Sequence, residues 1–354
     1  MRDQATLGWD LGGAHVKVAR IDAEGRLENA IKLACPLWQG MEHLEFAISR
    51  ALDVLGHGTV HHAVTMTGEL VDLFPGRSEG VRRILHTLTG MLGRSSVQVY
   101  AGYLGLITPT EALDCPDAVS SSNWHASAAW LAMHCSDALL IDVGSTTTDL
   151  IAVREGRVST RGVSDCQRLK YQELIYTGVS RTPVMALART APVDGAWVGI
   201  MAEHFATTAD VHRLTGMLDE RVDLFPAADN GPKTQEGSAR RLARMVGMDL
   251  QHAPQSTWHS LAEYFASCQV QSLEVACRLQ LSQSLWADLP VLVGAGSGSF
   301  IANCLAQRLG LSYQSFPGAV GLQVPADATV LDCIPALAVA QLSGGLHERV
   351  ARSA

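Results

Sequence analysis

None of the eight cysteines forms a Cys-x-x-Cys pair, which excludes a zinc knuckle and a disulfide framework. They read as reduced thiols of a cytoplasmic protein. Lysine is scarce: Lys17, Lys32, Lys170 and Lys233 are the only four among 27 basic residues. Positive charge is also in deficit. A net charge of −8 and a pI near 5.9 argue against nucleic acid or an anionic membrane as the main partner. No apolar run approaches the ~20 residues that span a bilayer. Arg2 and Asp3 lead straight into a strand pattern, unlike a secretory signal. Low-complexity segments are lacking. So is the nucleotide loop Gly-x-x-x-x-Gly-Lys-Ser/Thr, and Gly294-x-Gly296-x-Gly298 does not have the Rossmann spacing.

What is present is a duplication. Gly8-Trp9-Asp10-Leu11-Gly12-Gly13-Ala14-His15-Val16-Lys17 returns as Leu140-Ile141-Asp142-Val143-Gly144-Ser145-Thr146-Thr147-Thr148-Asp149. Asp10 aligns with Asp142 and Gly12 with Gly144 at one common offset. After a further strand, Glu24-Gly25-Arg26 matches Glu155-Gly156-Arg157 one residue closer. A strand, a tight glycine turn and a returning strand, used twice, predict two similar lobes. A chain of 354 residues with 47% hydrophobic content also suits two cores better than one. The expected division is 1–136 and 137–354, with a C-terminal helix packing back on the first lobe.

Periodicity fills in the lobes. Residues 5–11, 15–21 and 27–34 read as strands; 42–55 reads as a helix with Leu44, Ala47, Ile48, Ala51 and Leu55 on one face. A strand follows at 63–67, a helix at 78–93, a strand region at 97–107 and a helix at 123–134. Three strands restart at 138–163. Helical patterns cover 198–217, 236–248 and 257–287, with a loop at 224–237. Pro290 to Gly298 is a buried strand ending in a glycine turn, followed by helix 299–309. The fold class is therefore α/β, two ribonuclease-H-like lobes around a central cleft.

The glycine turns carry the chemistry. Without Cβ atoms, backbone N–H groups converge on an anion. Gly12, Gly13, Gly144, Gly294 and Gly296 are the candidate phosphate-binding glycines; Ser145, Thr146 and Thr147 add hydroxyl donors. Lys17 adds charge, and is expected to act on the leaving group rather than on structure. Asp10 and Asp142, at the strand ends, suit hydrated magnesium held between protein and phosphate. Glu69, in Thr65-Met66-Thr67-Gly68-Glu69, ends a strand and is the candidate base. Arg168 and Arg181 are further candidates, because arginine forks match phosphate oxygens. Glu203, Thr207 and Asp210 are expected on one helix face. Arg240, Arg241 and Arg244 read as a solvated face. His57, His61 and His62 lack a third ligand at the right spacing for a metal.

Several strings resemble a specific group of proteins. The duplicated turns and the late glycine strand resemble the acetate kinase–sugar kinase–heat-shock–actin superfamily, closest to its hydantoinase/oxoprolinase-like branch. Thr65-Met66-Thr67-Gly68-Glu69-Leu70, Asn123-Trp124, Asp142 to Asp149, Tyr176-Thr177-Gly178-Val179-x-Arg181-Thr182-Pro183 and Phe205 to Asp210 narrow it further. They look like the tetrahydromethanopterin-linked one-carbon transfer proteins of methylotrophs and the archaeal methanofuran-biosynthesis synthase. The resemblance implies that a furanylmethyl diphosphate is joined to the phenol of tyramine, glutamyl-tyramine or tyrosine, with release of diphosphate. Both substrates are small molecules, and a homo-oligomer is left open. The wider superfamily places Thr after its first glycine pair, whereas Ala14 and His15 stand here, which turns the expectation from ATP towards a diphosphate substrate. An ATP-dependent kinase or amidohydrolase of the same fold, and a nucleotide-sensing assembly partner, are the alternatives.

Overall fold

The computed structural model describes residues 4–56, 60–93, 95–283, 286, 288–323 and 328–351. The chain forms two compact units. One comprises Met1–Asp137, Val153–Ser159 and Pro317–Ala354; the other comprises Ala138–Ala152 and Thr160–Phe316.

In the first unit, β1 (Thr6–Leu11), β2 (His15–Ile21) and β3 (Leu27–Ala34) form an antiparallel meander joined by glycine turns. Helix α1 (Glu42–Leu55) then leads to β4 (His61–Met66), and α2 (Arg77–Leu92) to β5 (Ser96–Tyr100) and β6 (Leu106–Ile107). The sheet order is β3-β2-β1-β4-β5-β6, with β1, β4 and β5 parallel. Short helices α3 (Pro109–Asp114) and α4 (Pro116–Val119) lead into α5 (Asn123–Ala132). Alternation along β1 assigns the faces. Leu7, Trp9 and Leu11 join Leu44 and Ile48 of α1 and Val81, Ile84 and Leu88 of α2 in one core. The other face carries Thr6, Gly8 and Asp10. There α13 (Ile334–Ala351) crosses so close that a Cβ on Gly8 would collide with the Ala336 carbonyl. Only small residues permit that approach, and Ala336 and Ala340 supply them on the helix side.

A second sheet is built from β7 (Ala138–Val143), β8 (Thr148–Arg154), β9 (Arg157–Ser159), β10 (Leu174–Ile175), β13 (Val291–Ala295) and β14 (Tyr313–Ser315), of which all but β9 and the end of β8 belong to the second unit. Its order is β10-β8-β7-β13-β14, with β9 on β8. Helix α6 (Asp165–Lys170) precedes β10; β11 (Thr190–Val193) and β12 (Ala196–Gly199) form a separate hairpin. Helices α7 (Thr208–Leu214), α8 (Gln235–Met245), α9 (Gln255–Leu281) and α10 (Ser299–Leu309) follow, and α11 (Phe316–Ala319) and α12 (Ala328–Asp332) precede α13. The length of α9 has a packing reason, since its two ends serve different cores. Trp258, Leu261 and Phe265 pack with α7, α8 and the hairpin, whereas Val270, Leu273 and Cys277 pack with β7, β13 and α10.

The expected helix at 198–217 is shorter than its apolar pattern. Its beginning is strand β12, and α7 starts only at Thr208, because Thr207 caps it with Asp210 in a reciprocal capping box. Glu203 and His204 therefore lie in an exposed bend, not on a helix face. Among the described residues no helix is long and apolar enough to cross a membrane.

Two buried imidazoles make the fold acid-sensitive. Trp9 Nε1 donates to His62 Nδ1 at 3.0 Å, and His212 Nε2 lies 2.8 Å from Gln269 Oε1. Burial lowers each from its ordinary value to about 4. The unfolded chain protonates them near 6.5, so the contribution is full above that pH and is lost as pH falls towards 4. The loss is on the order of 3 kcal/mol for each ring. Unfolding free energies from urea titrations are expected to fall by about 3 kcal/mol per ring between pH 7 and 4, and His62→Gln should flatten part of the slope.

Candidate active site

A row of polar side chains crosses the first sheet on the face opposite α1 and α2. The register pairs Lys32 with Lys17, Lys17 with Asp10 and Asp10 with Thr65, so four adjacent strands contribute one residue each. Lys17 Nζ is 3.9 Å from Asp10 Oδ2 and 3.4 Å from Asp332 Oδ1, and Lys32 Nζ is 2.5 Å from Asp332 Oδ2. Burial alone would raise the Asp332 carboxyl, but the Lys17 and Lys32 ammonium groups outweigh it and hold it well below the carboxylate range. Burial in turn lowers Lys32 below its ordinary value, against the pull of Asp332. Two lysines thus face two carboxylates. Lys17 is a structural residue as well as a charge beside Asp10, which corrects the expectation that it acts on the leaving group alone.

The glycine turns share one geometry. Gly12 N–H donates to the His15 carbonyl and Gly144 N–H to the Thr147 carbonyl, each at 2.9 Å. These two N–H groups close their turns, so Gly12 and Gly144 are turn formers and not phosphate donors. Gly13, Ser145, Thr146 and Thr147 remain as candidates. In the first turn a Cβ on Gly13 would lie 2.6 Å from Val71 Cγ1, and Ala14 brings no hydroxyl.

The second turn is embraced from two sides. Val179 N–H donates to the Gly144 carbonyl at 2.9 Å, and Ser180 and Arg181 N–H donate to the Ser145 carbonyl at 3.2 and 2.9 Å. Arg181 also reaches Thr146 Oγ1 at 3.3 Å. Gly178 is required for this contact, since a Cβ there would lie 2.5 Å from both Ser145 C and Thr146 N. On the other side, a Cβ on Gly296, whose φ is +77°, would lie 2.5 Å from Asp142 Oδ1. Gly298 N–H then donates to the Val143 carbonyl at 2.9 Å, and α10 begins at Ser299. Gly296 is thus brought to Asp142. Gly294 is not: it sits within β13, where its missing side chain admits the Tyr313 ring.

The loop 176–183 is itself anchored. Gln269 Nε2 donates to Thr177 Oγ1 at 2.9 Å and to the Gly178 carbonyl at 2.8 Å, while Thr148 Oγ1 donates to the Thr177 carbonyl at 2.6 Å. Thr208 N–H donates to the Thr182 carbonyl, and Ala209 N–H to that of Ser180. Three strings separated in sequence, 142–149, 176–183 and 205–210, therefore meet at one place. Gly178→Ala is expected to cost about 1–3 kcal/mol by overpacking and to disturb the Thr146–Arg181 contact. Thermal melting together with diphosphate titration checks both effects.

Other sequence candidates fall elsewhere. Arg168 is 1% exposed, with its guanidinium 2.9 Å from Asp149 Oδ1 and 3.0 Å from the Glu173 carbonyl. It fastens α6 to the sheet, so its guanidinium serves Asp149 and the Glu173 carbonyl and not a phosphate. Arg241 is not solvated: it is wholly buried, 2.7 Å from Asp210 Oδ1 and 3.0 Å from Asp229 Oδ1. Glu69 is buried in the turn after β4, where Ser121 Oγ donates to its Oε1 at 2.9 Å. His61 meets Ser96 Oγ and Gln98 Oε1, and His57 lies outside the described residues. Among the described residues no three His, Cys, Asp or Glu side chains gather into a metal cluster. A magnesium ion carried by substrate phosphates and one or two carboxylates needs none. Asp142, at the end of β7 and beside the Gly296 turn, is a carboxylate of the kind that arrangement uses.

Acetone carboxylase aligns with 96% of the chain and 70% of its own length, with a TM-score of 0.58 at 11% identity. Residues 61–324 match the hydantoinase/oxoprolinase family, and the chain belongs to it. Within that class its relatives are specific. It is 31% identical over 244 residues to the (4-{4-[2-(gamma-L-glutamylamino)ethyl]phenoxymethyl}furan-2-yl)methanamine synthase of Methanocaldococcus jannaschii, covering 69% of this chain and 72% of that one. The synthase of the same name from Methanococcus vannielii is 30% identical over 112 residues, 32% of this chain and 50% of its own.

Proposed function

We propose that this protein is an ether-forming transferase that joins an aminomethylfuran methyl diphosphate to the phenol of tyramine, glutamyl-tyramine or tyrosine. The observation that carries the reading is the convergence of the 142–149, 176–183 and 205–210 strings on the second glycine turn. Those strings are the ones through which the chain resembles the methanofuran synthases. The product named for the relatives contains a phenoxymethyl group on a furan, the bond such a transfer would create.

In this reading Ser145, Thr146, Thr147 and Arg181 receive the diphosphate, and Asp142 holds its magnesium, directly or through water; Asp10, Gly13 and Lys17 belong to the equivalent turn of the repeat in the first unit. Magnesium, when bound, stabilises negative charge on the departing oxygens. The furan ring spreads positive charge from the methyl carbon, so catalysis rests on donors prepared for the leaving group. Burial lowers the Arg181 guanidinium, while Tyr176 opposes that shift. Arg181 remains a cation at neutral pH.

A kinase-type cycle makes the opposite demand on ATP. With Ala14 in place of a hydroxyl, transfer is expected to need magnesium but no ATP, and free diphosphate should compete with the furan substrate. Calorimetry and product assays with and without ATP test this. Micromolar ATP affinity, with product formed only as ATP is consumed, would overturn it.

A further inference from the structure

One polar cluster of the first unit is not used by the phosphate chemistry. It lies at the carboxyl ends of β4 and β5 and on the start of α5, the edge at which parallel α/β sheets receive ligands. On one side Ser121 Oγ donates to Glu69 Oε1 at 2.9 Å. Ser121 does so with φ at +50°, a conformation that costs a non-glycine residue about 1–3 kcal/mol and collects at functional sites. On the other side the Tyr100 hydroxyl lies 2.7 Å from His125 Nδ1. Ser122 Oγ connects the two, 3.2 Å from Thr65 Oγ1 and 3.1 Å from the Tyr100 carbonyl.

The Tyr103 ring stands edge-on to His125 with centroids 4.3 Å apart, yet Tyr103 is 57% exposed. Trp124 flanks the same imidazole at 5.3 Å. Tyr103 sits on a short turn between Gly102 and Gly105, whose φ values are +53° and +73°. The exposed Tyr103 ring against the buried His125 imidazole gives the cluster an aromatic slot wall open to solvent. Thr65, which meets Ser122 Oγ, is in register with Asp10, so the slot begins one strand from the strand-end carboxylate of the first glycine turn.

We propose that this slot is the acceptor subsite, taking a para-alkylated phenol with its ring against Tyr103 and its hydroxyl on Ser121. The inference rests on the ether-forming reading and names the place of its second substrate. The phenol proton passes to Ser121 Oγ as the Ser121 hydroxyl proton passes to Glu69, leaving the serine unchanged and the glutamate protonated. The phenolate oxygen bonds to the furan methyl carbon, and the carbon–oxygen bond to diphosphate breaks with its electron pair on diphosphate. Glu69 works through Ser121 instead of touching the acceptor, which accounts for its burial. Tyr100 and His125 are positioning residues that fix the slot wall.

The test uses the full chain with magnesium, the furan diphosphate and tyramine. Tyr103→Ala removes a ring already half in solvent and should raise the tyramine KM about tenfold, leaving the furan diphosphate KM within about twofold on the same argument. Ser121→Ala should lower kcat about a hundredfold near neutral pH, with the deficit closing as pH approaches the ~10 at which phenol ionises unaided. A purely structural role predicts no such closing. If the wild type forms the ether and both variants keep its tyramine KM and pH profile, the subsite is overturned and the reaction stands. If the wild type forms no ether from any of the three phenols, the reaction reading fails and the subsite with it. Should Ser121→Ala fail to fold, Tyr103→Ala decides.

Discussion

Asp142→Asn is expected to reduce turnover by about 10²–10³-fold, the range seen when one prepared electrostatic contact to developing charge is removed. The substitution keeps the shape of a side chain that packs beside Gly296 at the end of β7, so the fold should survive. Asp10→Asn is expected to show a comparable loss, since Asp10 holds the equivalent place in the repeat and Lys17 keeps Asp332 as its partner. Magnesium titrations of the residual rate separate the two explanations. A role in holding the metal with diphosphate raises the magnesium needed for half-maximal rate, whereas damage to the fold alone does not. Wild-type turnover in both variants would remove the carboxylates from the mechanism.

The second large effect is on stability. Cys333 Sγ donates to the Ile31 carbonyl, 302 positions earlier in the chain, and the carboxylate of the neighbouring Asp332 is shared by two lysines. Asp332→Ala leaves the nearly buried Lys32 ammonium without its carboxylate, and a loss of about 3–5 kcal/mol is expected. Lys17→Ala should also destabilise, by less, because Lys32 still serves Asp332. The double change Lys32→Met with Asp332→Leu replaces the buried pair by apolar groups and should recover most of the loss. Urea midpoints measure all three. A single Asp332→Ala change within about 0.5 kcal/mol of wild type, the range of an ordinary surface substitution, would show that the pair is not structural.

Local signals made most of the fold legible. The glycine-bounded meander, α1 at Glu42–Leu55 and α10 at Ser299–Leu309 follow from turn residues and periodicity within a short window. The repeat located both turns, and their shared closure by Gly12 and Gly144 follows from it. What escaped depends on distant partners. Nothing near Asp332 tells that Lys17 and Lys32 will close on it, and nothing near Arg241 tells that Asp210 and Asp229 will bury it. A usable signal existed for α7, because Thr207-x-x-Asp210 is a helix-start pattern that outranks the apolar run before it. The polar row was only partly readable: Asp10 and Thr65 are each flanked by apolar residues in their strands, whereas Lys17 and Lys32 share theirs with other polar residues such as Arg20, Glu28 and Asn29. Which strands stand side by side is what the sequence could not specify.

The most direct test of the central claim is mass spectrometry of the product after incubating the purified chain with magnesium, the aminomethylfuran methyl diphosphate and each phenol in turn. The account predicts an aryl furanylmethyl ether and one diphosphate per ether, formed without ATP and lost in Asp142→Asn. Intact substrates after incubation with all three phenols, or product that appears only with ATP consumption, would contradict it.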